Sequence, residues 1–246
     1  GGFNNYTKEQ IRQMRIGYYA SVAFLDQQIG RVLDVLSENG LGDKTLVIFT
    51  SDHGDMLGDH QLLAKGAFFY EPSVKVPLII RPPRLTGEGF RSNELVQGYD
   101  LAATILSAAG YKEEQLCRMI PDSLNLLESR SGHDFAVCLY RATGINDRKS
   151  YWQPQINASM IFDGRFKLNV FHDAESQRQP PGQLFDLKKD KTEINNLWSN
   201  PFYSQTKFTL LNELLNWFVR QDLRYKRDKI EDAFPDISQW CLNKPL

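Results

Sequence analysis

Residues 45–65 read TLVIFTSDHGDMLGDHQLLAK, and the fold turns on how this stretch is understood. Thr45 to Phe49 is a short apolar run rich in β-formers. Directly after it, Asp52, His53, Asp55, Asp59 and His60 crowd around Gly54 and Gly58, and they include two of the four histidines of the chain. A strand that ends in such a loop suits a hard-cation site at the carboxyl edge of an α/β sheet. The strand fixes the backbone, the glycines allow a sharp turn, and the side chains emerge into the crevice where such sheets bind ligands. Asp52 and His53 can hold a divalent ion. They are too few alone, since calcium takes about six to eight ligands and magnesium about six, so others must come from elsewhere. Lys65 lies across the loop, where its ammonium would meet an anion bound on the metal. The structural alternative has Asp52 capping a turn, Asp55 and Asp59 solvated, and Lys65 on the surface.

The bulk composition excludes several classes. The chain has 246 residues, 41% of them hydrophobic, enough for one large domain or two modest ones. Net charge is −1, from 29 Lys plus Arg against 30 Asp plus Glu, so no global field favours nucleic acid or an acidic partner. Arg224, Lys226, Arg227 and Lys229 alternate with Asp222 and Asp228 and read as a solvated helix end. The three cysteines, Cys117, Cys138 and Cys241, lack metal-ligand spacing and define no disulfide framework. No apolar run approaches the ~20 residues that span a bilayer, so no membrane partner is expected. The start, GGFNNYTKEQ, has no secretory character and no initiator Met, which leads to the expectation of a piece of a longer protein.

Working outward, residues 7–39 form an amphipathic helix. Thr7 and Gln10 make a capping box, and apolar residues recur at Ile11, Met14, Tyr18, Val22, Leu25, Ile29, Val32 and Leu36. Asn39-Gly40 stops it. Asp26 beside that stripe is read as a hydrogen-bonded structural carboxylate in preference to a ligand contact. Val76 to Arg81 is a second buried strand closed by Pro82-Pro83. Phe68, Phe69 and Tyr70 either line a pocket or pack the loop onto the core. Asp100 caps a helix over Leu101 to Ala109, ended by Gly110. This alternation predicts helices on a mostly parallel sheet. After Leu127 the texture changes: Phe135 to Tyr140, Ser159 to Val170 with a turn at Asp163-Gly164, and Gln183 to Leu187 predict a small antiparallel sheet. A last helix starts at Asn200-Pro201 and buries Leu211, Leu214, Leu215 and Phe218. The expected domains are therefore 1–127 and 128–246.

The segment SDHGDMLGDHQLLAKGAFFYEPSVKVPLII resembles the second half of the active-site signature of sulfatases in the alkaline-phosphatase superfamily, in particular the arylsulfatase, choline-sulfatase and iduronate-2-sulfatase-like branch. The flanks agree: YYASVAFLDQQIGRVLDVL and YDLAATILSAAG resemble the helices on either side, and QLFDLKKDKTEINNLW the phrase that leads into the C-terminal helix. The resemblance implies an α/β fold, the C-terminal part of an alkaline-phosphatase-like sandwich with a small antiparallel C-terminal subdomain. It implies that Asp52 and His53 bind a divalent cation, usually calcium, where many relatives have Asn in place of the His. It also implies that Lys65 contacts the sulfate group. His60 and Asp55 have no firm catalytic counterpart; His60 is retained as a candidate near the chemistry. Arg141 is read as a surface arginine in preference to a substrate contact.

Such sulfatases use a Cys or Ser in C/S-x-P-x-R, oxidised to formylglycine, and no such pentapeptide occurs here. The resemblance thus implies hydrolysis of sulfate esters, on a sulfated small molecule or glycan, by a parent protein whose N-terminal half supplies the nucleophile. This piece alone would be inactive and prone to self-association through exposed sheet surface. A periplasmic or secreted location is expected from the family. The alternatives are a phosphonate monoester hydrolase or phosphodiesterase of the same superfamily, and a non-catalytic structural or binding fragment.

Overall fold

Thr7 starts the first helix as its residue type predicts. Its hydroxyl accepts the Gln10 N–H while the Gln10 side chain accepts the Thr7 N–H, so two donors left over at the helix start are satisfied reciprocally. Helix α1 runs Lys8–Glu38 and ends at Asn39, with Gly40 in the left-handed region at φ 63. The structure, a computed structural model, describes residues 5–84, 89–129, 131–141, 156–172 and 182–230, with backbone only beyond 222. Cys241 and the side chains of Arg224, Lys226, Arg227 and Lys229 lie outside the described residues.

The chain divides into two units, Gly1–Ser92 and Asn93–Leu246; the change of texture in the sequence comes later, after Leu127. The first unit holds α1, strand β1 (Val47–Thr50), the one-turn helix α2 (Glu71–Val74) and strand β2 (Leu78–Arg81). Contrary to the expectation of parallel strands, β1 and β2 pair antiparallel, Val47 opposite Arg81 and Thr50 opposite Leu78. Residues 51–77 between them are taken up by the loop and by the single turn of α2, with no long crossover helix. The loop therefore leaves and returns at one end of the sheet. Within the first unit and among the described residues, no residue of α1 is buried, and Phe24, Leu25, Val32 and Val35 are more than half exposed.

The second unit holds α3 (Asp100–Ala108), α4 (Glu113–Met119), strands β3 (Ala136–Arg141), β4 (Asn157–Phe162), β5 (Phe166–His172) and β6 (Gly182–Asp186), and α5 (Ser204–Ile230). The strands form one antiparallel sheet in the order β3-β4-β5-β6, as the alternation predicted. The β4–β5 turn is built by Asp163, whose carboxylate accepts the N–H groups of Arg165 and Phe166, with Gly164 at φ 89. Ile161, Leu168, Val170 and Leu184 point to one face and pack with Leu210 and Leu214 of α5. Burying each such side chain contributes roughly 1.5–3 kcal/mol. Asn200 caps the entry to α5 by accepting the Phe202 N–H, through a 3-10 turn over Pro201–Tyr203.

Two expectations about the second unit do not hold. Leu215 is exposed, because the buried stripe of α5 runs through Leu210 and Leu214, one step round the helix. Asp100 does not cap α3: it is the first helical residue, fully buried, and its carboxylate accepts Gln97 N–H, Leu124 N–H and the His133 ring. It ties three segments of the unit together, a use that local spacing does not reveal.

At the end of the sheet, Arg141 donates to Ser159 Oγ at 3.1 Å, and Ser159 Oγ lies 2.8 Å from His172 Nε2. Burial, and then the Arg141 guanidinium, hold the His172 pKa below its usual value. The unfolded value is near 6.5, so the stability contributed by neutral His172 is present above about pH 6.5 and is lost as pH falls through the lower folded value. Urea midpoints are expected to fall between about pH 7 and 5, with a shallower fall in His172→Gln; equal slopes would remove His172 from the account.

Candidate functional site

The loop that β1 delivers begins with a self-bracing turn. Ser51 Oγ donates to His53 O at 2.8 Å, and the His53 N–H donates to Asp52 Oδ1 at 3.0 Å. That backbone donor outweighs the opposing effect of desolvation and, with the His53 ring and the Lys65 ammonium adding to it, lowers the Asp52 carboxyl pKa. Asp52 is an exposed, ionised oxygen donor at the end of a strand.

His53 is oriented by the glycine next to it. Its Nδ1 lies 3.0 Å from Gly54 O. A carbonyl only accepts, so its partner assigns the ring hydrogen to Nδ1 and leaves the lone pair on Nε2. Nε2 lies 3.4 Å from Asp52 Oδ2 and 2.6 Å from Lys65 Nζ. Gly54 is required at its position: its N–H donates to Ser73 O at 2.8 Å, and a Cβ there would meet the Pro72 carbonyl.

The rest of the loop returns Lys65 to the start. The Asp55 carboxylate accepts the Lys65 N–H at 3.2 Å, and Leu57 and Gly58 donate to Leu63 O and Leu62 O. Met56 is fully buried beneath. Leu57, Gly58, His60 and Gln61 all take left-handed backbone, with φ of 48, 94, 52 and 58; outside glycine this is strained. Helix α1 holds the strained tip: Arg15 donates to Leu57 O at 3.0 Å and pairs with Asp59 at 2.6 Å, and the Tyr6 N–H donates to the Gln61 side chain. Ile11 packs where a side chain on Gly58 would stand.

The candidates therefore sort by position. Asp52, His53 and Lys65 come together. His60 is engaged otherwise, its ring stacked on Tyr70 at 3.9 Å and 12°; Phe69 is buried and packs the loop, while Phe68 lies beside Tyr70. Arg141 belongs to the end of the second unit's sheet. Asp55 anchors the backbone of Lys65, a role the sequence left open. Arg15 was missed altogether, since forty-four residues separate it from Asp59 and it reads only as a polar position on an amphipathic helix.

The donor set fits a divalent cation. Two ligands at right angles, each about 2.4 Å from a calcium ion, stand ~3.4 Å apart, the spacing found between Asp52 Oδ2 and His53 Nε2. The Nδ1–H on a backbone carbonyl is also the arrangement that fixes a ligating imidazole. Among the described residues, no group of three or more His, Cys, Asp and Glu side chains forms a complete metal cluster, so these two supply only part of a coordination shell.

Two family models match. One, described as "Sulfatase", covers residues 1–111; the other, "N-sulphoglucosamine sulphohydrolase, C-terminal", covers residues 58–220. An arylsulfatase of Clostridium perfringens is 33% identical over 206 residues, 80% of this chain and 38% of that protein. Among solved structures, a 2-O GAG sulfatase superposes with TM-score 0.75 at 21% identity, over 90% of this chain and 46% of that one. The phosphonate monoester hydrolase of Agrobacterium radiobacter gives TM-score 0.71 at 27% identity, over 88% and 43%. The chain spans about two-fifths of the length of the curated relatives it matches.

Proposed function

We propose that this chain, which belongs to the sulfatase family of the alkaline-phosphatase superfamily, supplies the cation-binding and anion-binding end of a site that hydrolyses sulfate esters. Its fold is the alkaline-phosphatase-like α/β fold of that family, and sulfuric ester hydrolysis is an activity of its relatives. The observation that carries the proposal is the convergence of Asp52, His53 and Lys65 at the end of β1, with Lys65 Nζ at 2.6 Å and Asp52 Oδ2 at 3.4 Å from one imidazole nitrogen.

Asp52 and His53 would hold the divalent cation, with calcium as the expected ion. Bound there, the ion supplies positive charge that polarises a sulfate oxygen. Lys65 binds a second oxygen of the same anion, so that charge shifting onto the sulfate in the transition state meets a fixed ammonium. Asp55 holds the Lys65 backbone, and Arg15 holds the loop tip. The attacking group, a formylglycine by resemblance, has no C/S-x-P-x-R segment within these residues; the proposal places it in a further segment of the protein, consistent with the two-fifths coverage of the relatives. A sulfated small molecule or glycan as substrate and a periplasmic or secreted location belong to the same proposal, as does self-association of the isolated chain through its exposed apolar surface.

One observation favours a second reading: a phosphonate monoester hydrolase is among the structural neighbours at 27% identity. Parallel assays of the full-length protein with an aryl sulfate and an aryl phosphonate monoester separate the two. The expected result is a higher kcat/KM on the sulfate; faster turnover of the phosphonate, or none of either, would overturn the proposal.

A further inference from the structure

We propose that Lys65 is a latch on the cation site: its ammonium and a divalent ion compete for the single lone pair of His53 Nε2, so that taking up the ion releases Lys65 toward the anionic substrate. This rests on the reading of Asp52 and His53 as cation ligands. The tautomer decides the matter. With Nδ1 committed to Gly54 O at 3.0 Å, the neutral ring has one acceptor left, and Lys65 Nζ stands 2.6 Å from it. An ammonium has only donors, and an imidazole nitrogen has only one lone pair. The ion and the lysine cannot share it.

The surroundings let the lysine move without disturbing the loop. The Lys65 N–H is held by Asp55 at 3.2 Å, and the side chain is exposed, so release needs only rotation of a flexible four-carbon stem. The displaced ammonium keeps its charge and its anchor beside the ion. Because coupling between two ligands is reciprocal, a bound anion that holds Lys65 away also tightens the cation.

The test is a double-mutant cycle read by calorimetric titration of calcium into the full-length protein as wild type, Lys65→Met, His53→Asn and the double variant. The amide oxygen introduced by His53→Asn has two lone pairs and can serve a lysine and an ion together, so the exclusion is lifted while a ligand is kept. Lys65→Met is expected to tighten calcium about tenfold with His53 in place, the scale of one charge-assisted hydrogen bond, and by much less in the His53→Asn background. Equal tightening in both backgrounds would mean plain charge repulsion and would overturn the latch, as would no tightening in either. Asp52→Asn keeps the two outcomes apart: if it binds calcium as well as wild type, the cation-site reading itself has failed.

Discussion

Lys65→Ala in the full-length protein is expected to hydrolyse an aryl sulfate about 10²–10³-fold more slowly than wild type, the loss typical of one fixed donor that meets developing charge. The fold should not notice. Lys65 is exposed, and the contact that shapes the loop is its backbone N–H on Asp55, which alanine keeps. The loss should fall on kcat more than on KM, because the ammonium is asked to bind the transition state better than the ester. Steady-state kinetics beside a thermal melt checks this; an unchanged kcat would remove Lys65 from the chemistry, and a collapsed melting temperature would make it structural. Asp55→Ala offers a comparison, since it frees the backbone of Lys65 without removing the charge and should cost less.

Glu193→Gln is expected to destabilise the second unit by about 3–5 kcal/mol, the cost of breaking a buried ion pair from one side. Lys167 and Glu193 are each 1% exposed in their side chains, with Nζ to Oε1 at 2.9 Å. Lys167 sits in β5 and Glu193 in the segment before α5, at φ 56, so the pair joins the sheet to the chain that leads into the last helix. Removing the carboxylate's charge takes a compensating partner from a buried ammonium. The melting temperature should fall by on the order of 10 °C. The double variant Lys167→Met, Glu193→Leu should cost less than the sum of the two single variants, the difference being the coupling between the pair. A single variant as stable as wild type would show that the pair contributes nothing.

What the sequence reveals depends on how far apart the interacting residues lie. The capping box of Thr7 and Gln10, the Asp163-Gly164 turn and the Asn200-Pro201 entry to α5 each involve groups within a few positions, and residue type alone determines them. The small antiparallel sheet follows from the alternation within its strands and, between β4 and β5, from the short Asp163-Gly164 turn. The pairing of β1 with β2 does not, because apolar runs of four residues carry no direction and a connection spanning residues 51–77 permits either sense. Asp100 shows the same limit: its position fits a cap, and only the approach of Leu124 and His133 from further along the chain explains its burial. In the candidate site, the acidic loop points to its own chemistry. Its supports, Arg15 on Asp59 and Leu57 O, come from α1 and leave no trace in local spacing.

The antiparallel β1–β2 pair has a consequence for how such a protein changes over evolutionary time. Its ladder fixes both ends of residues 51–77 at one edge, so this segment is held as a cassette. A change of length within residues 51–77 need not shift the register of either strand, because the ladder fixes both ends. Asp52 and His53, tied to the end of β1, keep their places under such changes.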